Sequence, residues 1–590
     1  MYQRNYELLY AKIRQYLLPA VMMKLALQLG NVVDTILVGN ILGTDAMSAV
    51  GLSMPVLSMV QIPAVFLGNG GSVFAGILLG RRQKQEAKTV FTVSFIITLT
   101  CNLLFAASSF FITKPLANFL TKGSSMESDV ASCIFIFLLG SPVMCMGVFL
   151  TRFFSTDSHP KLASTYYIVS NMLNLFFDVL FLKYAGLGVK GSALSTLFGF
   201  GLGLVITCFY VKSSKRMLSF SLVKPSPDLL KSIASTGMPH LSSISLTMVR
   251  GFVLNGIILA ILGEAGIAIF TICNNTHLIL KMFVGGIMES FPYVVGVLYG
   301  DRDFGGIRAG VRKIFSYAIP ITVILMFALF IFTRNLSILF GIRDRGLQDE
   351  VILVLRIYVF SIPLQLWNYF AMQFYGAVEK SRVASLVSAM GEGIALILVA
   401  YVCIMTDRIM GGSGYAGFGA AFILAELLSI IVFTVYVWCR HPGQGLLLIS
   451  DEREGSCLDL TIRLCTEDAV AMAREIQDFC EQHGVLRTKA VKIAMAAEEM
   501  AVNAAIYGGD SSVWMDVYLL ISDAPESMDE SGRTVLLRLR DNGIPFDPTA
   551  YEYDDSGSDY CIHGIDLIKK ASKSITYVRA LDLNNTTITV

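Results

Sequence analysis

The stretch Phe433-Thr434-Val435-Tyr436-Val437-Trp438-Cys439-Arg440-His441-Pro442-Gly443 divides the chain into two parts of different composition. It ends a long apolar run and begins a polar, acidic segment. Residues 441–590 hold 25 of the 45 acids but only 13 of the 46 Lys and Arg residues. Because composition reflects the solvent around a chain, we predict a membrane part before the boundary and a water-soluble domain after it.

The first part has the composition of a multi-span membrane protein. The 590-residue chain is 54% hydrophobic and has a mean hydropathy of +0.63, which excludes an ordinary soluble protein. A spanning helix needs ~20 mostly apolar residues, and about twelve runs satisfy this. They lie at about 15–40, 50–79, 89–112, 129–152, 161–183, 190–211, 233–262, 266–300, 310–333, 350–376, 384–405 and 415–438. Alternate loops are rich in Lys and Arg, so both termini are expected in the cytoplasm of a multi-pass inner-membrane protein.

The membrane part contains an internal repeat with a spacing of 220 residues. Pro19 recurs as Pro239, and Gly80 recurs as Gly300. Two six-span halves predict a transporter with its site between or within the halves, whereas a channel filter is not visible in the sequence. The predicted bundles are residues 1–220 and 221–440.

Two acids within predicted spans are the first candidate site. Asp34 lies in the middle of span one, and Asn171, Asn174 and Asp178 share one face of span five. Converging oxygens would suit a hard cation such as Na⁺. A buried carboxylate pair could equally hold a proton, and helix–helix hydrogen bonding is the structural alternative.

The remaining charges within predicted spans are interpreted mainly as structural. These are Glu289, Glu392, Glu426, Arg250 and Lys281. Intramembrane ion pairs, such as Arg250 with Glu289, are the simplest explanation because an unpaired charge in a span is costly.

Three stretches resemble the multidrug and toxic compound extrusion (MATE) transporters. They are Val33-Asp34-Thr35-Ile36-Leu37-Val38-Gly39 continuing to Val50, Asn174-Leu175-Phe176-Phe177-Asp178, and Gly188-Val189-Lys190-Gly191-Ser192-Ala193-Leu194-Ser195-Thr196. The resemblance covers about residues 10–440. It implies an all-α fold of twelve transmembrane helices in two six-helix bundles. It also implies that the protein exports organic, often cationic, compounds in exchange for Na⁺ or H⁺.

The same resemblance implies particular coupling residues. The positions that match the family's amino-terminal cation site are Asp34, Asn174, Asp178 and Thr196. Some family members also carry acids in spans seven and ten. Span ten here has no acid between Val351 and Gly376, which argues against a second coupling site in that bundle.

The acidic carboxyl-terminal part reads as an α+β domain at 457–590, joined by a linker at 441–456. A strand is predicted at about 458–464, and one helix begins near Thr466 and ends before Gly484. A second helix is predicted from about Thr488 to Tyr507. Three further strands are predicted at 513–521, 535–540 and 586–590.

Two places in this domain carry candidate chemistry. Glu499 and Asn503 share a helix face, where a carboxylate can serve as a general base and an amide oxygen can hold Mg²⁺. Asp541 follows a strand, and Gly543 allows a ligand to approach the backbone closely.

In this order the motifs resemble the histidine-kinase-like ATPases, specifically the anti-sigma-factor serine kinases. The three boxes are Ala497-Glu498-Glu499-Met500-Ala501-Val502-Asn503, Asp541-Asn542-Gly543-Ile544-Pro545-Phe546-Asp547-Pro548 and His563-Gly564-Ile565-Asp566-Leu567-Ile568-Lys569-Lys570. The resemblance implies bound ATP and Mg²⁺. It makes Glu499 the catalytic base, Asn503 a Mg²⁺ ligand, Asp541 the partner of the adenine amino group, and Gly543 and Gly564 residues that contact nucleotide. Only one glycine precedes the last helix, and the acidic segment from Tyr551 to Tyr560 opposes triphosphate binding.

The sequence therefore predicts a cation-coupled exporter of small organic compounds with a cytoplasmic ATP-binding regulatory domain. One alternative is a transporter-like receptor that controls a serine kinase acting on a cytoplasmic partner protein. Another is a lipid-linked-sugar flippase, against which the acidic first bundle argues. Membrane lipid surrounds the chain in each case, and the absence of a basic stripe argues against a nucleic-acid partner.

Overall fold

A computed structural model describes residues 3–42, 44–121, 126–207, 218–221, 226–339, 345–449, 455–507, 513–523, 533–550, 569 and 572–590. Within these ranges, eleven helices are long and apolar enough to cross a membrane. The predicted first span forms a further long helix, α1 (Glu7–Leu42). The others are α2 (Thr44–Gly80), α3 (Lys84–Thr121), α4 (Glu127–Thr156), α5 (Pro160–Tyr184), α6 (Val189–Thr207), α7 (Pro227–Gly263), α8 (264–300), α9 (Phe304–Ile331), α10 (Arg345–Ala377), α11 (Ser381–Ile409) and α12 (Tyr415–Arg440). A short helix, Thr333–Leu339, follows α9.

The 220-residue repeat is visible in the backbone. Arg82 after α2 and Arg302 after α8 both have positive φ, of 62° and 53°. Gly263, with φ of 69°, separates α7 from α8. A positive φ ends a helix without extra residues, so equivalent helices in the two halves end in the same way.

The two halves touch where α2 and α8 end. A Cβ on Gly80 would lie 2.1 Å from the Val297 carbonyl oxygen, and one on Gly300 would lie 2.0 Å from the Ile77 carbonyl oxygen. Only glycine allows two helix backbones to approach this closely. We call this contact the glycine seam. Residues 441–590 are called the tail, and the end of the bundles that carries the seam is called the tail side, because the described part of the tail packs there.

In its described residues, the tail contains two helices and a five-stranded sheet. The helices are α13 (Thr466–Gln482) and α14 (Arg487–Tyr507), and the strands are β1 (Ser456–Arg463), β2 (Trp514–Asp523), β3 (Arg533–Asp541), β4 (Ser574–Ala580) and β5 (Leu583–Thr589). The strand order is β1-β2-β3-β5-β4, with every neighbouring pair antiparallel. The two helices and four strands predicted from the sequence pattern are confirmed to within a few residues, and β4 was not predicted. The last helix, expected to begin at Gly564, lies outside the described residues.

The two faces of the tail sheet have different partners. Apolar side chains on one face, such as Val517 and Leu539, form a core with α13 and α14. Alternation along the strands places Asp516, Arg538 and Arg540 on the other face. That face is buried against the loops that join the membrane helices at the glycine-seam end, so the tail packs directly on the two bundles.

Candidate functional site

Close helix packing assembles the first candidate site from α1, α5 and α6. Gly30 of α1 lies against Asn171 of α5, because a Cβ on Gly30 would fall 1.9 Å from the Asn171 amide oxygen. A Cβ on Gly199 of α6 would lie 2.8 Å from the Asn174 backbone nitrogen. Asp34 follows Gly30 by about one helical turn and therefore reaches the same region.

The predicted coupling residues meet in this place. Asn174 donates its amide to Ser195 Oγ at 3.3 Å and to Thr196 Oγ1 at 3.5 Å, and Ser195 donates to Asp178. The Asp34 carboxyl lies close enough to Asp178 to interact with it. All four predicted residues thus lie in one cluster.

Two carboxylate oxygens in this cluster are buried and lack a hydrogen-bond partner within the part of the chain that the structure describes. They are Asp34 Oδ1 and Asp178 Oδ2. Buried polar atoms are nearly always hydrogen-bonded, so an exception needs an explanation. A bound Na⁺ or a shared proton would satisfy both atoms, and oxygen ligands are those that a hard cation prefers.

Sequence reasoning missed Ser195, which bonds both Asn174 and Asp178. The residue lies inside the quoted Gly188–Thr196 motif, next to Thr196, so the motif alone could have suggested it. A π-helical turn, Val179–Tyr184, follows Asp178 directly. Such turns are frequent at functional sites, because they change the direction of a side chain within a helix.

The second bundle contains an acidic cavity that the sequence interpretation underestimated. The cavity is lined by Glu392 and Glu426, together with His277, Gln365 and Asn368. Asn368 donates to Glu426, and Thr247 Oγ1 lies 3.3 Å from Glu392. The acids come from α11 and α12 rather than from span ten, so the absence of an acid in span ten did not exclude a polar site here. Glu392 lies in a second π-helical turn, Met390–Ile394.

The predicted pair of Arg250 with Glu289 is wrong. Glu289 is buried and pairs with Lys24 of α1, at 2.5 Å, and with Arg152 of α4. Arg250 instead lines the pocket that contains Glu426. Helical periodicity gives the face of each charge but not the neighbouring helix, and Glu289 faces the first bundle.

In the tail, Glu499 and Asn503 lie side by side on α14. The Asn503 amide nitrogen donates to Glu499 Oε1 at 3.2 Å. Asn503 Oδ1 is buried and has no hydrogen-bond partner among the residues that the structure covers. Burial raises the pKa of the Glu499 carboxyl, the hydrogen bond from Asn503 lowers it, and nearby Glu498 raises it. An orphaned amide oxygen beside a carboxylate fits the predicted Mg²⁺ and phosphate chemistry.

Asp541 ends β3 on the sheet face that carries α14. Its Oδ1 accepts hydrogen bonds from the Gly543 amide at 2.9 Å and from Asn584 at 2.8 Å. Burial raises the pKa of Asp541, and these hydrogen bonds oppose the shift. The carboxylate is therefore held firmly at the edge where a base was predicted to bind. Gly564, the rest of the third box up to Ile568 and the segment Tyr551–Tyr560 lie outside the described residues.

Comparisons with known proteins identify the membrane part. The MatE family model matches residues 19–180 and again 239–402, which is the internal repeat. The chain is 21% identical over 411 residues to the multidrug export protein MepA of Staphylococcus saprophyticus, covering 68% of this chain and 87% of that protein. It is 21% identical over 456 residues to the probable multidrug resistance protein YoeA of Bacillus subtilis, covering 73% and 95%.

Solved structures show the same fold. An outward-facing multidrug resistance MATE transporter superposes with a TM-score of 0.66 at 20% identity, covering 73% of this chain and 95% of that one. A mutant of the Vibrio cholerae MATE transporter VcmN gives 0.66 at 19%, covering 73% and 98%. With two family matches in the two halves of one helical membrane fold, the chain belongs to the MatE family of multi-pass membrane transporters.

Proposed function

We propose that the protein exports small organic compounds from the cytoplasm in exchange for Na⁺ or H⁺ that binds at Asp34 and Asp178. The observation that carries this proposal is the pair of unpartnered buried oxygens, Asp34 Oδ1 and Asp178 Oδ2. Two buried carboxylates cannot both keep their negative charge without a nearby cation. The names of the relatives, multidrug export and multidrug resistance proteins, support export as the direction and organic compounds as the cargo.

The cavity in the second bundle is the place that we propose for the organic substrate. Glu392 and Glu426 supply negative charge, and Tyr369, Met372 and Leu280 supply apolar surface. Cation binding in the first bundle and substrate binding in the second would then be coupled through the bundle arrangement that each ligand prefers.

We further propose that the tail lies in the cytoplasm and binds ATP with Mg²⁺. Asn503 Oδ1 would hold the Mg²⁺ beside the phosphates, Glu499 would serve as the general base, and Asp541 with Gly543 would hold the adenine. When bound, Mg²⁺ would offset phosphate charge close to Glu499. The position of the tail against the transporter favours regulation of transport over a kinase that acts independently of it.

The export proposal is tested with purified protein in liposomes, where dye efflux is followed under imposed Na⁺ or H⁺ gradients. Asp34→Asn removes one of the two charges, so gradient-driven efflux should fall by roughly tenfold or more. The matched control is Asp129→Asn, which makes the same change at an exposed position of α4. Which gradient drives the parent protein identifies the coupling ion.

Full coupling in Asp34→Asn would remove the proposed cation site. If the parent protein showed no efflux under any gradient while still binding ATP, the receptor-kinase alternative would replace the exporter.

A further inference from the structure

The tail sheet presents charged side chains to the membrane bundles on the face opposite α13 and α14. Asp516 of β2 lies opposite Arg540 of β3 in the strand register, and Asp459 of β1 lies opposite Tyr518. Arg538 and Arg540 expose only 6% and 5% of their side chains. Charged residues are rarely buried this far unless they are paired, so this face is built for a partner.

The partner in the second half is the short loop between α8 and α9. Arg540 bonds Asp303 Oδ2 at 2.9 Å and also bonds Asp301. Arg538 donates to the Asp301 carbonyl oxygen at 2.7 Å and lies 3.4 Å from its carboxylate. Asp301 and Asp303 expose 2% and 1% of their side chains, so the tail removes this loop from water.

The first half contributes two arginines to the same cluster. Arg82, in the loop after α2, lies 2.7 Å from Asp301 Oδ1. Arg4, just before α1, makes a two-pronged bond to Asp303 at 2.8 and 2.7 Å. Asp301 and Asp303 therefore hold residues of the first half and of the tail at the same time.

Arg4 also bonds the tail directly. Its guanidinium lies 3.3 Å from an Asp459 oxygen and 3.2 Å from an Asp516 oxygen. These eight side chains, four arginines and four aspartates from three parts of the chain, are called the latch cluster. Their charges balance, which is the condition for burying so many of them. Loss of any one member leaves an uncompensated buried charge.

Charge pairing keeps the loop acids ionised. Burial raises the pKa of Asp301 and Asp303, but neighbouring arginines, Arg538 and Arg82 at Asp301 and Arg4 and Arg538 at Asp303, outweigh it and lower both. The attraction of Asp301 and Asp303 therefore persists at neutral and mildly acidic pH and is lost as the pH falls below the ordinary aspartate pKa of about 4. Burial instead raises the pKa of Asp459, so this member of the cluster loses its charge first as the pH falls.

A second contact ties the tail to the first half. Leu581 and Asp582 both have φ of 57° and form the two-residue turn between β4 and β5. The Asp582 amide donates to Ser158 Oγ at 2.8 Å, just after α4, and its carboxylate lies 3.7 Å from Lys12 of α1. The tail thus bonds both halves at the end where the glycine seam closes them.

We propose that the tail is a latch that holds the two halves together on the tail side, so that the transporter opens to the cytoplasm only when the tail undocks. This inference rests on the proposed exporter for its direction, since cargo must enter from the side on which the tail lies. Strand β3 carries Arg538 and Arg540 and ends at Asp541. A ligand bound at Asp541 would therefore contact the same strand that supplies two arginines of the latch cluster.

The first arm of the test measures opening rather than transport. Val297 lies in the glycine seam, buried, with a methyl 3.8 Å from the position of a Cβ on Gly76. In full-length protein carrying Val297→Cys in a background without the native cysteines, Arg540→Gln should raise thiol labelling from the tail side by about fivefold or more. The control is Arg463→Gln, the same change at an exposed end of β1. Equal labelling in both variants would overturn the latch.

The second arm locks the tail. In the background without the native cysteines and without Val297→Cys, the double substitution Ser158→Cys and Asp582→Cys allows a disulfide at the place where the Asp582 amide now contacts Ser158 Oγ. Oxidation should reduce efflux by about tenfold, and a reductant should restore it, while each single cysteine variant should not respond. Unchanged efflux by fully cross-linked protein would show that undocking is not required. If the parent protein shows no efflux, the exporter proposal is refuted. The latch is still tested by the first arm, because thiol labelling of Val297→Cys does not depend on cargo.

Discussion

Single unpartnered oxygens are the residue-scale signs of function in this protein. Asp34 Oδ1, Asp178 Oδ2 and Asn503 Oδ1 are buried polar atoms without a hydrogen bond among the residues described. Leaving such an atom unsatisfied costs about 1–3 kcal/mol, which is the physical reason for the ligands that we propose at these places. All three residues were singled out from the sequence, and the structure adds the specific atoms.

The prediction at this scale concerns Asn503. Asn503→Ala removes the orphaned oxygen and the hydrogen bond to Glu499, so Mg²⁺-dependent ATP binding by the full-length protein should weaken by about tenfold or more. Calorimetry with and without Mg²⁺ measures the change. Gln482→Ala, at the exposed end of α13, is the control. Unaltered affinity would mean that the Glu499–Asn503 pair is structural.

At the scale of elements, glycines decide how closely the helices of the first bundle approach one another. Gly30 brings α1 to α5, and Gly199 brings α6 to α5, so side chains from three helices reach one point. The π-helical turn Val179–Tyr184 follows Asp178, and the π-helical turn Met390–Ile394 contains Glu392, in the corresponding span of the other half. The repeat has therefore produced two related polar places with different acids.

Gly199→Ala tests this packing. The new methyl would lie 2.8 Å from Asn174 and from the Ser170 carbonyl oxygen, so α6 must move away and carry Ser195 with it. We expect a loss of ~1–3 kcal/mol in stability and weaker cation dependence of efflux. Gly51→Ala is the control, because a Cβ there meets nothing within 4 Å. Thermal unfolding checks the loss of stability, and efflux from liposomes under Na⁺ or H⁺ gradients checks the cation dependence. Equal behaviour of the two variants in both measurements would refute the packing argument.

At the scale of the whole molecule, three bodies meet at one end. The two bundles touch through the glycine seam, and the tail covers both through the latch cluster. Lys24, Arg152 and Glu289 add a buried ion group between the bundles within the membrane part. Moving the halves apart on the tail side must break the contacts of the glycine seam and of the latch cluster together.

Gly300→Ala separates the seam from the latch. A Cβ would lie 2.0 Å from the Ile77 carbonyl oxygen, so the closed arrangement should lose ~1–3 kcal/mol while the tail charges stay intact. Spin labels at the exposed residues Lys84 and Arg308, near the starts of α3 and α9, should report a larger population of long distances. Gly256→Ala, with open space around it, should match the parent. An unchanged distance distribution in Gly300→Ala would show that the seam does not hold the halves closed.

The sequence by itself determined the architecture of the membrane part and most of the elements of the tail. Apolar run lengths fix spanning helices, because a bilayer of fixed thickness sets their length, and the 220-residue repeat fixes the two halves. Local patterns gave the helices α13 and α14 and four of the five strands. They also indicated that Asp34, Asn174 and Asp178 converge, and the resemblance to the MATE transporters added Thr196 to this set.

Only the tertiary structure decided which charges pair and what the tail touches. Periodicity gives the helix or strand face on which Glu289 and Arg540 lie. It does not show that Glu289 contacts Lys24, which is 265 residues away in the sequence. Nor could it show that Arg540 meets Asp301 and Asp303 of a loop in the other part of the chain. Such partners depend on how helices and domains dock. Docking is fixed by the packing of many distant residues at once, and no local pattern records it.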